Sequence, residues 1–164
     1  MRLIDPILQE LERESKSTVK LFERLPDGQL DWRPHPKSKS LGDLAWHLAT
    51  IPKRIATMLQ AASFDMSGAH PAARPDSGAA IIDAFRSNLD ETKTMLSAMD
   101  DDTLRERFTM IREGREIIAM PKIDFIRTVM LNHSYHHRGQ LTVYLRLLGV
   151  PLPPVYGNTA DESI

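Results

Sequence analysis

Cysteine is absent from the 164 residues. That excludes disulfides, thiolate metal sites, iron–sulfur clusters and a cysteine nucleophile, so any metal must be held by His, Asp or Glu. An excess of one charge is also absent. Lys+Arg is 21 and Asp+Glu is 22, a formal net charge of −1, which lacks the basic footprint that nucleic acid demands. No apolar run approaches the roughly 20 residues that span a bilayer. The opening MRLIDPILQELERES places Asp and Glu where a signal peptide needs an apolar stretch. A cytoplasmic protein with no membrane or nucleic-acid partner is expected. What is present is ordinary: 41% hydrophobic and 26% charged residues, the make-up of one soluble globular domain over residues 1–164.

Apolar spacing predicts four helices. Asp5 reads as an N-cap with Pro6 at the first helical position, followed by Ile7, Leu8, Leu11, Val19 and Phe22 on one face. Leu25-Pro-Asp-Gly ends that helix. Ser40 opens the second, with Asp43 completing a capping-box-like pattern. Its stripe is Leu41, Leu44, Leu48, Ile51, Ile55 and Met58, and Pro52 inside it predicts a kink. Residues 63 to 77 read as loop, with Gly68, Pro71 and Pro75. A third helix is predicted from Gly78 to Met99. Residues 100 to 121 allow two readings, a hairpin turning at Gly114 or a helical continuation over Asp101–Arg107. The fourth helix runs from Lys122 to Leu148 and stops at Gly149 and Pro151. The expectation is an all-α four-helix bundle with long connections and a Pro-rich C-terminal tail.

The chemistry concentrates in the fourth helix. Its inward stripe is Ile126, Met130, His133, His137, Leu141, Tyr144 and Leu148, with two histidines one turn apart. A buried imidazole without partners forfeits roughly 1–3 kcal/mol of hydrogen bonding, and two charged ones would repel. A metal ion resolves both, because it binds neutral imidazole, and i,i+4 histidines project side by side. A third ligand must come from elsewhere, and His47 lies on the inward face of the second helix. His35 and His70 fall in loops, and His136 is turned about 100° from His137. The alternative reading keeps these histidines as hydrogen-bonded core residues. Asp43 reads as a cap, with a contact behind His47 as the lesser option. Arg138 and Gln140 flank the pair with solvated or interhelical hydrogen-bonding roles.

The string Leu41-Gly-Asp-Leu-Ala-Trp-His47-Leu, with His133-x-x-x-His137-Arg138-Gly139-Gln140-Leu141 and Leu148-Gly-Val-Pro, resembles the DinB-like (YfiT-like) superfamily. The closing Val155-Tyr-Gly-x-x-Ala-Asp-Glu162 is similar to its usual ending. The resemblance covers nearly the whole chain. It implies a four-helix bundle, commonly a homodimer, carrying a divalent metal on His47, His133 and His137. The family's better-understood relatives are metal-dependent transferases acting on low-molecular-weight thiols or their adducts, and a thiol-dependent maleylpyruvate isomerase. The resemblance therefore implies thiol chemistry, with a low-molecular-weight thiol as the small-molecule substrate expected here.

Three neutral histidines leave a coordination position open, as catalytic sites do. The nucleophile would then be metal-bound water or thiolate. Zinc is the first expectation and nickel the second. Tyr135, His136 and Arg138 are the candidate helpers, while Tyr156 in the tail reads as packing. Two other classes fit the same residues: a metal-dependent hydrolase, and a non-enzymatic stress-response protein that binds metal or a small ligand.

Overall fold

The computed structural model describes residues 1–68 and 73–164. The expected loop residues His70 and Pro71 lie outside the described residues. Helix α1 spans Asp5–Phe22, α2 Leu41–Met58 and α3 Gly78–Ser97. A fourth helical run begins with α5, Lys122–Phe125, passes through a wider π turn at 126–132, and continues as α6, His133–Leu147.

The caps follow the residue chemistry. Ser40 accepts the Asp43 amide at 3.1 Å and opens α2. Ser77 opens α3 in the same way through Ala80. At α1 the sequence expectation is corrected by one residue: Ile4 is the N-cap and Asp5 already lies in the first turn. The Asp5 carboxylate accepts the Arg2 amide and guanidinium instead, so it reaches backward rather than into the helix. Helix α3 stops two residues short of the predicted Met99. Gly149 has φ of +71° and ends the fourth run as expected. Pro52 sits inside α2, and the helix continues past it to Met58.

The all-α expectation is corrected. Residues 100 to 121 contain both features that the sequence left open. A short helix, α4 (Asp101–Arg105), is capped by Asp100, and a hairpin follows from β2 (Arg107–Arg112) to β3 (Arg115–Pro121). Glu113 and Gly114 both have positive φ, 51° and 72°, the two-residue turn that matches the twist of paired strands. The predicted 63–77 loop also contributes a strand, β1 (Ser63–Asp65), which pairs parallel to β2 with Ser63 opposite Thr109. The sheet order is β1-β2-β3, with a bulge between Met110 and Ile111. Alternation drives this pairing: Phe108 and Met110 point inward and are buried, and the Phe108 ring meets Phe125 edge-on.

Two apolar clusters fill the interior. One joins Ile4, Ile7 and Leu11 of the N-terminal segment to Ile51 and Ile55 of α2, Leu89 and Leu96 of α3, and the inner face of the sheet. The other joins Leu21, Phe22, Leu44, Leu48, Phe85, Leu141 and Leu145. No helix among the described residues is long and apolar enough to cross a membrane.

Candidate metal centre

Helix α2 and the fourth helical run lie side by side, which brings His47 against His133 and His137. Leu44, Leu48 and Ile51 anchor the face around His47, while Met130 and Leu141 do so around the histidine pair. The ring Nε2 of His133 lies 3.4 Å from that of His47 and 2.7 Å from that of His137. One ring nitrogen from each of the three falls within 4.8 Å of the others, and all three side chains are half-buried. No carboxylate joins the group among the described residues.

The outer ring nitrogens are held from behind. His137 Nδ1 is 2.7 Å from Gln140 Oε1. An amide oxygen only accepts, so Nδ1 carries the proton and Nε2 presents a bare lone pair. His133 hydrogen-bonds the main chain of Val129, and since its Nε2 faces the other imidazoles, Nδ1 is the donor. The His133 amide bonds the Met130 carbonyl, a tighter contact than the regular helical one. Two bare lone pairs at 2.7 Å repel unless a cation lies between them, and neutral imidazoles oriented from behind are what a metal requires.

Burial dominates the electrostatics and disfavours the imidazolium form. It pushes His47 down to about 3, helped by His137 and His133. His133 is lowered by burial and by His137, against the upward pull of the Val129 hydrogen bond. His137 is lowered by burial, against the upward pull of Gln140. All three are neutral at neutral pH.

The flanking residues divide by direction. Tyr135 donates to Glu10 Oε1 at 2.7 Å, and Arg127 clasps the same carboxylate. Arg138 is buried and turns toward α1, where it donates to the Glu14 carbonyl at 2.9 Å and its carboxylate at 2.6 Å. Tyr156 accepts from Arg138 and donates to Glu14 at 2.8 Å, so the tail residue read as packing is tied into this network. His136 is exposed, with its ring 5.0 Å from that of His137. Asp43 gives its amide to the α2 cap and its carboxylate to Arg74 at 3.5 Å. His35 accepts the Lys37 amide in its loop, away from the group.

Sequence reasoning passed over Lys39 and Arg54, whose charges act on the triad. Lys39 bears on His47 and His137, and Arg54 on His47 and His133. The available signal was spacing, since Arg54 follows His47 by seven residues, two helical turns.

The fold and site together define a helical bundle with a three-histidine group able to hold a metal ion. Comparison with known proteins supplies the family. A model of the DinB family matches residues 3–163. The chain belongs to the DinB family. It is 28% identical to the uncharacterized protein YrdA of Bacillus subtilis (strain 168), covering 97% of this chain and 91% of that protein. A DinB-like protein from Bacillus cereus ATCC 10987 superposes with a TM-score of 0.74 at 31% identity, covering 93% of this chain and 97% of that one. The fold also matches YjoA, a DinB-like protein from Bacillus subtilis, with a TM-score of 0.70 at 20% identity over 92% of this chain and 97% of that one.

Proposed function

We propose that this protein is a metal-dependent transferase that joins a low-molecular-weight thiol to an electrophile, with zinc as the first choice of metal and nickel the second. The observation that carries the reading is the convergence of three half-buried ring nitrogens with no carboxylate among them. A divalent ion on three neutral imidazoles keeps an open coordination position and lowers the pKa of a thiol held there. The chain's own residues do the rest. Gln140 holds His137 in the tautomer that turns Nε2 inward, and burial keeps the three rings uncharged. Half-burial leaves the group within reach of a small substrate.

The thiol reading is favoured over the hydrolytic one by where the carboxylates lie. Glu10 and Glu14 are engaged by Arg127, Tyr135, Arg138 and Tyr156 on the α1 side. Activating water is helped by a positioned general base, whereas a thiol acidified by an ion that His47, His133 and His137 would hold needs none. In the transfer, the thiol S–H proton passes to solvent and the sulfur lone pair forms the new C–S bond. The displaced electron pair leaves with a halide, opens an epoxide, or passes to the far carbon of an activated double bond, which is then protonated.

The test is metal content of untagged protein beside His47→Ala, His133→Ala and His137→Ala, followed by turnover. About one zinc or nickel per chain, lost in each variant, and consumption of an epoxide or halide only with thiol present are expected. Turnover of esters without thiol would assign the site to hydrolysis. Metal uptake without any turnover would make it a binding protein.

A further inference from the structure

Basic side chains in this protein mostly find carboxylates. Lys53 meets Glu91 at 2.7 Å, Arg74 meets Asp31 at 2.6 Å, and Arg138 meets Glu14 at 2.6 Å. Those left without one among the described residues, such as Lys16, Arg33, Arg86 and Arg112, are exposed to water. Arg54 is the exception, half-buried on α2 and in no ion pair among the described residues. A guanidinium on a half-buried side chain with no carboxylate beside it is available to pair with an anion that arrives from outside.

Its position says where. Arg54 follows His47 by two turns, on the same face and about 10 Å along the axis. Lys39, also in no ion pair among the described residues, precedes the α2 cap at the other end. The Tyr144 hydroxyl donates to the Lys39 carbonyl at 3.4 Å, seven residues beyond His137 on α6. The two helices therefore run antiparallel here, with Lys39 at the His137 end of the triad and Arg54 at the His133 end. The nearest acid on this face of α2, Asp43, is held by Arg74. Three neutral imidazoles supply no negative charge, so a dication among them with two flanking cations leaves the site strongly positive.

We infer that the site takes an anionic substrate, one bearing a carboxylate or a phosphate, with Arg54 as its principal binding residue and Lys39 as the second. This rests on the thiol-transfer reading for its setting and deepens it by naming the substrate's charge.

Zinc-loaded protein is titrated calorimetrically with 3-mercaptopropionate and with 2-mercaptoethanol, in wild type, Arg54→Gln and Arg54→Gln/Lys39→Gln. The anionic thiol should bind at least about tenfold more tightly in wild type. Arg54→Gln should remove most of that advantage while leaving 2-mercaptoethanol binding and zinc content unchanged. Equal binding of the two thiols in wild type, or an advantage that survives in both variants, would overturn the inference. Metal-free protein is titrated in parallel with succinate, inorganic phosphate and neutral succinamide, followed by amide chemical shifts. Saturable shifts around Lys39, His47 and Arg54 with an anion and not with succinamide support the inference, and the tighter anion identifies the group. No shift with either anion overturns it. If zinc is not taken up, the thiol-transfer reading fails, and this second titration decides the inference alone.

Discussion

Gln140 settles which nitrogen of His137 faces inward. Gln140→Ala is expected to weaken zinc binding by about 10- to 100-fold, measured by competition with a chelating dye, with little change in the urea midpoint of the metal-free protein. The three imidazoles also make metal-free stability depend on pH. Their folded values lie below the ordinary 6.5, with His47 at about 3. The unfolded chain therefore binds protons first, and stability falls as pH drops from 6.5 toward 3. Urea midpoints at pH 7 and pH 5 should show that fall, and His47→Ala should make it shallower. The triad itself was legible in the sequence, because two histidines interrupted an apolar stripe and a third lay on the facing one. Arg54 was not, since its spacing was visible while the lack of a carboxylate partner is a property of the folded surroundings.

At the scale of elements, local signals were read well where one residue decides the backbone. Ser40, Gly114 and Gly149 are such positions, a cap and two places of positive φ. Gly149→Ala should cost about 1–2 kcal/mol, since an L-residue is strained in the left-handed region. Chemical denaturation would measure it. Elements that depend on distant partners were less legible. Strand β1 has three residues and exists because β2 offers it an edge. The π turn at 126–132 left no mark in the apolar stripe, because Ile126 and Met130 are buried as a regular helix would bury them. The turn nonetheless borders the site, since it ends at Asn132, beside the His133 ring that hydrogen-bonds the Val129 main chain.

At the scale of the whole molecule, the buried Arg138 ties α6, α1 and the C-terminal tail together. Arg138→Met should destabilise the fold by about 3 kcal/mol, because Glu14 would keep its burial and lose its buried countercharge, with only the exposed Arg13 left beside it at 3.5 Å. Equilibrium urea unfolding checks this. Burial pulls the Glu14 carboxyl up, but the Arg138 and Tyr156 hydrogen bonds outweigh it and hold it below the ordinary 4.5. That stabilisation is present above 4.5 and is lost as pH falls through the lower folded value. Glu14→Gln should therefore flatten the acid limb of the stability curve. The network escaped sequence reasoning because its members are 124 and 142 residues apart. That separation also bears on time. Tyr156 closes on Glu14, and Arg24 on Glu162 across 138 residues, so closing these loops carries an entropy cost that favours their forming late. Contacts absent from the transition state slow unfolding without hastening folding. The tail is thus a kinetic fastener, and a chain ending after Leu152 should refold at nearly the parent rate yet come apart faster.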